Sequence, residues 1–197
     1  GAFEAHLERL RRVRTNFTEK TDRERIKKDL EARLPGVRAY PWWSLGMATL
    51  AEFVKEEDTP DNLVRARQIA RDGEIAYPGS IGGKRCLHIV NSIEAPSFRV
   101  EAMAQDNLNR ASIGVSYQNL TEIYFRAYAG DLGGKVRDAD DFNVALNSRE
   151  AEKLLSRQKP YAEWTVRLPE TTDFKSHRMF VVPPMDRPGF YVVVASA

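Results

Sequence analysis

Ile93-Glu94-Ala95-Pro96-Ser97-Phe98-Arg99-Val100-Glu101-Ala102-Met103 is the stretch on which the reading of this chain turns. Before it, large apolar residues recur every three or four positions. After it they recur every second position, with Phe98, Val100 and Ala102 alternating with Arg99, Glu101 and Met103. The first period is that of a helix with one buried face, the second that of a half-buried strand. Pro96 stands between them, and the residue before a proline is pushed out of the helical region. The spacing therefore predicts two domains: a helical one over 1–95 and a β one over 96–197.

Working backwards from Pro96, five helices are expected. Phe3, Leu7, Leu10, Val13 and Phe17 share one face of the first. Thr21 and Glu24 offer a capping box for the second, lined by Ile26, Leu30 and Leu34 and ended by Pro35-Gly36. Pro41 suits the first turn of a third helix carrying Trp42, Leu45, Leu50, Phe53 and Val54. Thr59-Pro60 opens a fourth with Leu63, Ala66, Ile69 and Ala70 inside, and Pro78-Gly79 stops it. A fifth begins near Gly82-Gly83 and carries Cys86, Leu87, Ile89, Val90 and Ile93. The first four helices form two hairpins of roughly 35 residues each, a period also used by tetratricopeptide-like pairs.

Working forwards, Ile113, Val115 and Tyr117, then Ile123, Phe125 and Ala127, then Trp164, Val166 and Leu168 each alternate with other residues. Met179 to Val182 and Phe190 to Val194 are β-rich runs. Short strands without helices between them predict an antiparallel, immunoglobulin-like β-sandwich. A short helical insertion is expected near 147–157, where Asn147 and Glu150 can form a capping box. The fold class is thus α+β and multi-domain: an all-α helical bundle followed by a sandwich.

Charge excludes one class of function. The net charge is +2, about +2 before Pro96 and about zero after it, so no nucleic-acid partner is expected. The basic run Arg9, Arg11, Arg12, Arg14 reads as a solvated helix face. No run of 18 apolar residues occurs, and no membrane contact is expected of this part. Gly1-Ala2 without a Met, and an end at the strand-like Tyr191–Ala195, read as a piece cut from a longer protein.

Few motifs suggest chemistry, and each has a plainer reading. Pro78 to Lys84 resembles a phosphate loop, but Pro78 occupies a required glycine position and Arg85 the Ser/Thr position. Pro78 also fails the glycine rule of a hydrolase elbow around Ser80. His6, His88 and His177 are scattered, and Cys86 and His88, two apart on a helix, face differently. Asp138, Asp140 and Asp141 lack the glycine and glutamate of a calcium loop, which would fall at Asn143 and Arg149. Trp42-Trp43 reads as one core and one rim residue rather than a sugar or peptide platform. Asn16-Phe17-Thr18 and Asn119-Leu120-Thr121 match the glycosylation triplet. No nucleophile–base–orienter set emerges. The chain is expected to be non-enzymatic, without catalytic, cofactor-binding or metal-ligating residues and without a cofactor.

The order of several motifs carries a resemblance. Tyr77-Pro78-Gly79-Ser80, Gly82-Gly83 and Cys86 precede Ile93-Glu94-Ala95 and the strand Ser97–Met103. Val115-Ser116-Tyr117-Gln118-Asn119-Leu120, Ile123-Tyr124-Phe125-Arg126 and Pro188-Gly189-Phe190-Tyr191-Val192-Val193 follow. Over roughly residues 60–197 this resembles the N-terminal region of bacterial α2-macroglobulin family proteins, especially the large type of Bacteroidetes with a helical leader. The resemblance implies a seven-stranded macroglobulin-type domain within an exported, periplasmic or cell-surface protein that inhibits or traps endopeptidases. Its partners would be peptidases, met through the full-length parent, and neighbouring domains of the same chain. Cys86 is followed by Leu87-His88-Ile89 and not by the Gly-Glu-Gln of the family's thioester, so that chemistry is expected elsewhere in the parent. The alternative is a cell-surface helical adaptor with an immunoglobulin-like module that binds a protein or glycan.

Overall fold

A computed structural model describes residues 1–103, 112–130 and 148–197. The fold is α+β. Among the described residues there are six α-helices and two antiparallel three-stranded sheets. The chain divides into two compact units, Gly1–Ala95 with Thr172–Lys175, and Pro96–Thr171 with Ser176–Ala197.

The helical unit contains α1 (Ala2–Asn16), α2 (Lys20–Arg33), a 3-10 turn (Leu34–Val37), α3 (Trp42–Lys55), α4 (Asn62–Ala76) and α5 (Ile81–Glu94). Its core draws Leu7, Leu30, Phe53, Ala70 and Ile93, among others, from all five helices. α3 is buried without a break from Ser44 to Ala51, because the other helices surround it. Its small residues, Gly46, Ala48 and Ala51, permit that enclosure. Gly82 lets α5 approach α3 closely: a Cβ there would fall on the backbone of Ser44 and Leu45.

Several local expectations change. The second helix starts at Lys20 with Glu19 as its N-cap, because Glu19 and not Thr21 takes the extended conformation that a cap needs. No Thr21 box forms. α1 ends at Asn16, so Phe17 falls past the helix and is 52 % exposed. Pro35-Gly36 do not stop α2 directly; they sit inside the 3-10 turn that continues it. Leu87 lies on the outer face of α5. The basic run of α1 splits: Arg9 and Arg12 face solvent, while Arg11 and Arg14 turn inward beside Leu7 and Leu10. Arg11 donates to Thr49 Oγ1 at 2.7 Å, and Arg14 to the Phe53 carbonyl at 3.0 Å and Glu56 at 3.2 Å.

Thr172–Lys175, which the sequence places in the second half, group with the helices. Phe174 packs against the helical core, with the Arg67 guanidinium 5.2 Å from its ring centre. Lys175 donates to the Thr59 carbonyl at 2.8 Å. Phe174 has φ of 57°, a left-handed value that costs a branched-Cβ-free residue about 1 kcal/mol or more. The packing of its ring offsets that strain.

The β unit contains β1 (Ser97–Ala102), β2 (Ile113–Gln118), β3 (Glu122–Ala129), α6 (Ser148–Arg157), β4 (Ala162–Arg167), β5 (His177–Val181) and β6 (Tyr191–Ser196). One sheet has the order β1-β2-β5 and the other β4-β3-β6, all antiparallel. One apolar cluster takes Ile113, Val115, Tyr117 and Val181 from the first sheet and Ile123 and Phe125 from the second. Phe125 stacks on Trp164 with centroids 5.1 Å apart. Asn119, at φ 53°, turns the chain from one sheet to the other, and its N–H donates to Thr171 Oγ1 at 2.8 Å. The acidic loop Asp138, Asp140, Asp141 and the cap residue Asn147 lie outside the described residues.

Candidate functional site

The sequence-singled residues do not converge. Ser80 is the N-cap of α5: its Oγ accepts from the Gly83 N–H at 2.9 Å and donates to the Tyr77 carbonyl at 2.8 Å. Both interactions belong to the helix start, which is the local reason for the Gly-Ser-Ile-Gly-Gly pattern. Cys86 is fully buried between α3 and α4 and donates to the Ser44 carbonyl at 3.3 Å. Burial, then the Glu74 carboxylate, push its thiol up to about 12, so it is uncharged at neutral pH. His88 is exposed on the opposite side of α5. His6 of α1 sits 2.9 Å from Asp29 of α2. His177 belongs to β5, in the other unit, with its ring 6.2 Å from that of Tyr117. Among the described residues, no three His, Cys, Asp or Glu side chains gather as a metal site would require. No described helix is long and apolar enough to cross a membrane.

The helical unit does present a groove, of about 680 Å³, where the ends of α2 and α4 meet the start of α3. Beside it α4 packs closely on α3. Gly73 lets α4 settle against Met47 and Cys86, and Ser44 Oγ on α3 donates to the Gly73 carbonyl at 2.6 Å. The apolar walls are Leu34, Pro35, Trp43, Met47 and Tyr77, with Ile75 at the rim, 72 % exposed. Tyr77 is held by a hydrogen bond from its hydroxyl to the Arg38 carbonyl, 3.0 Å. Glu31 and Asp72 add two carboxylates and Arg38 one guanidinium. The lining can take apolar side chains and, with a carboxylate excess of one, a flanking cation.

Trp42 and Trp43 divide the work. Trp43 packs on the core and lines the groove, and Trp42 is 42 % exposed. The sequence did not single out Glu31, Asp72 or Ile75. Ile75 carried a signal all the same, since a large aliphatic residue lies off the Ala66–Ala70–Gly73 buried face of α4.

A second cluster of charges is tightly paired. Glu57 accepts from Lys27 and, at 3.0 Å, from Arg65. Burial raises its carboxyl, but the hydrogen bonds and charges of Lys27 and Arg65 prevail and hold it below its ordinary value. Glu94 behaves likewise: burial raises it, while Arg67 and Arg71 hold it below the ordinary value. Arg85 meets Glu52 in a two-pronged contact at 2.8 and 3.0 Å. These pairs join neighbouring helices.

Compared with protein-family models, curated proteins and solved structures, the chain matches none.

Proposed function

We propose that this chain is a non-catalytic scaffold segment of an exported bacterial α2-macroglobulin-like protein whose full-length parent inhibits or traps endopeptidases. The observation that carries the reading is the strand order. In an immunoglobulin-like sandwich the first, second and fifth strands oppose the third and sixth, and here β1-β2-β5 and β4-β3-β6 share one apolar cluster. The fourth strand pairs with the third and not with the fifth. That order, behind a helical leader and with the Tyr77–Cys86, Val115–Leu120, Ile123–Arg126 and Pro188–Val193 motifs, supports a macroglobulin-type domain. Such a domain contributes interfaces rather than reactive groups. The parent acts outside the cytoplasm, in the periplasm or at the cell surface.

The test uses the full-length parent. Incubated with trypsin, it is expected to be cut, to change its electrophoretic mobility, and to leave the trypsin active on a small substrate but not on a large protein. Trypsin that stays fully active on both substrates sinks the reading. So does stoichiometric inhibition by residues 1–197 alone.

The groove favours a second reading, a cell-surface helical adaptor that binds an extended protein segment with an apolar stretch and a flanking cation. Ile75→Asp is then expected to weaken capture of such a peptide at least tenfold. Binding of glycans without peptides would make the groove a sugar platform instead.

A further inference from the structure

A second cavity, of about 500 Å³, opens in the helical unit where the ends of α1 and α3 meet the start of α2. It is built from residues between 14 and 59 alone. Every side chain lining it ends in a polar group, and none of them is aromatic or aliphatic. Such a lining suits a hydrated, polar ligand and not an apolar one.

Five of the lining groups are cations and four are carboxylates. Pairing uses up some of each. Arg14, only 7 % exposed, reaches Glu56, and Lys27 reaches Glu57. Lys20, Arg23 and Lys28 are left, with Glu24 and Asp58. None of these five makes an ion pair with a described residue. Lys20, Arg23 and Lys27 recur every three or four positions, which sets them along one face of α2.

Arg23 is the unusual member. It is partly buried, its Nε is shielded from solvent, and its guanidinium donates to no described residue. Thr59 Oγ1, on the α3 side of the same cavity, is also buried without a partner. Buried polar groups are nearly always hydrogen-bonded, so two orphans on one cavity point to something that the cavity receives. Lys175 brings a further ammonium to the same place, 2.8 Å from the Thr59 carbonyl.

We propose that this cavity binds a polyhydroxylated organic anion, a sugar bearing a carboxylate or a phosphate. Arg23 takes the anionic group, since a planar guanidinium fits both oxyanions in a forked contact. Lys20 and Lys28 add charge beside it. Glu24 and Asp58 repel a bare anion but accept hydrogen bonds from ligand hydroxyls. A charged, hydroxyl-rich ligand therefore uses both sets of groups. A neutral sugar leaves Arg23 unpaired and finds no ring to stack on, and inorganic phosphate faces the carboxylates with no hydroxyls to offer them. The inference is independent of the peptidase-trapping reading, since a parent can trap peptidases whether or not this cavity is filled.

The test is isothermal titration calorimetry on the 197-residue protein at neutral pH and low salt. The probes are glucuronate, glucose 6-phosphate, glucose and inorganic phosphate. At least one sugar anion is expected to bind with Kd below about 1 mM, and the pair shows whether carboxylate or phosphate is preferred. Glucose and inorganic phosphate are expected to bind at least tenfold more weakly. Arg23→Ala is expected to weaken the sugar anion at least tenfold with an unchanged thermal midpoint, because that side chain holds no described partner. Lys28→Glu, at an exposed position, is expected to weaken it at least threefold. Asp58→Ala is expected to weaken the sugar anion while tightening phosphate. Absence of sugar-anion binding up to about 5 mM overturns the proposal. So does phosphate that binds as tightly as the sugar anion, which means an adventitious ion only, or glucose that does so. Affinity unchanged in both Arg23→Ala and Lys28→Glu, or an equal tightening of both anions by Asp58→Ala, overturns it as well.

Discussion

α3 and β3 are the central elements of their units, and they are enclosed in opposite ways. α3 is buried on every side along Ser44–Ala51. From Glu122 to Ala127 β3 is buried on alternate residues, Ile123, Phe125 and Ala127 inside, with Glu122, Tyr124 and Arg126 outside. A helix surrounded by helices has no tolerant face, whereas a strand in a two-sheet core has one. The difference teaches that sensitivity in the helical unit should be continuous along the sequence. Along Glu122–Ala127 of β3 it should switch on and off with every residue.

The largest expected effect tests the inner face of β3. Phe125→Ala removes a fully buried ring and its stack on Trp164, and about 4 kcal/mol should be lost in urea unfolding followed by circular dichroism. A loss below about 1 kcal/mol would break the comparison. Next comes Gly82→Ala, expected to cost about 3 kcal/mol, since the new methyl falls on α3 backbone that cannot yield as a side chain would. Thermal unfolding by circular dichroism reads it, and an unchanged midpoint would mean that α5 does not seat on α3 so closely.

Smaller still is Ser44→Ala. It leaves the Gly73 carbonyl without its 2.6 Å donor, a loss of about 1–2 kcal/mol.

Acid should then act through Glu57, whose ordinary pKa of 4.5 is lowered in the fold. A depressed carboxyl contributes stability that is present above that ordinary value and lost as pH falls through the folded one. Glu57→Gln should therefore cost about 1 kcal/mol at pH 7 and progressively less as pH falls below 4.5, read as converging urea midpoints. A difference that grows on acidification has the wrong sign for this account. Last, Arg126→Ala, one residue from Phe125 but outside, should change stability by less than about 0.5 kcal/mol. A cost comparable to that of Phe125→Ala would erase the contrast between faces.

What could be read from the residues was local. The switch of period around Pro96 matches the end of α5 at Glu94 and the start of β1 at Ser97, because each period is imposed by its own backbone geometry. The alternation of Ile123, Phe125 and Ala127 was legible for the same reason. The full enclosure of α3 was not. Trp42, Leu45, Leu50, Phe53 and Val54 mark one broad face, but Met47, Ala48 and Thr49 are buried only because other helices happen to cover them. Arg14 points the same way: nothing in its neighbours announces that the Phe53 carbonyl and Glu56 wait 39 and 42 residues on. The groove was illegible because its walls come from three helix ends far apart in sequence. Capping failed at Thr21 for a narrower reason, since two adjacent starts were possible and the chain took the earlier one.

Phe174 carries a consequence for synthesis. The helices end at Glu94, yet their core receives Phe174 and their surface Lys175 only after some eighty more residues have been made. At ribosomal rates of about 5–20 residues per second the wait is roughly 4–16 s. During it the newborn helices hold an apolar slot open beside Arg67. Until Phe174 arrives, that part of the helical core stays exposed to solvent and to chaperones.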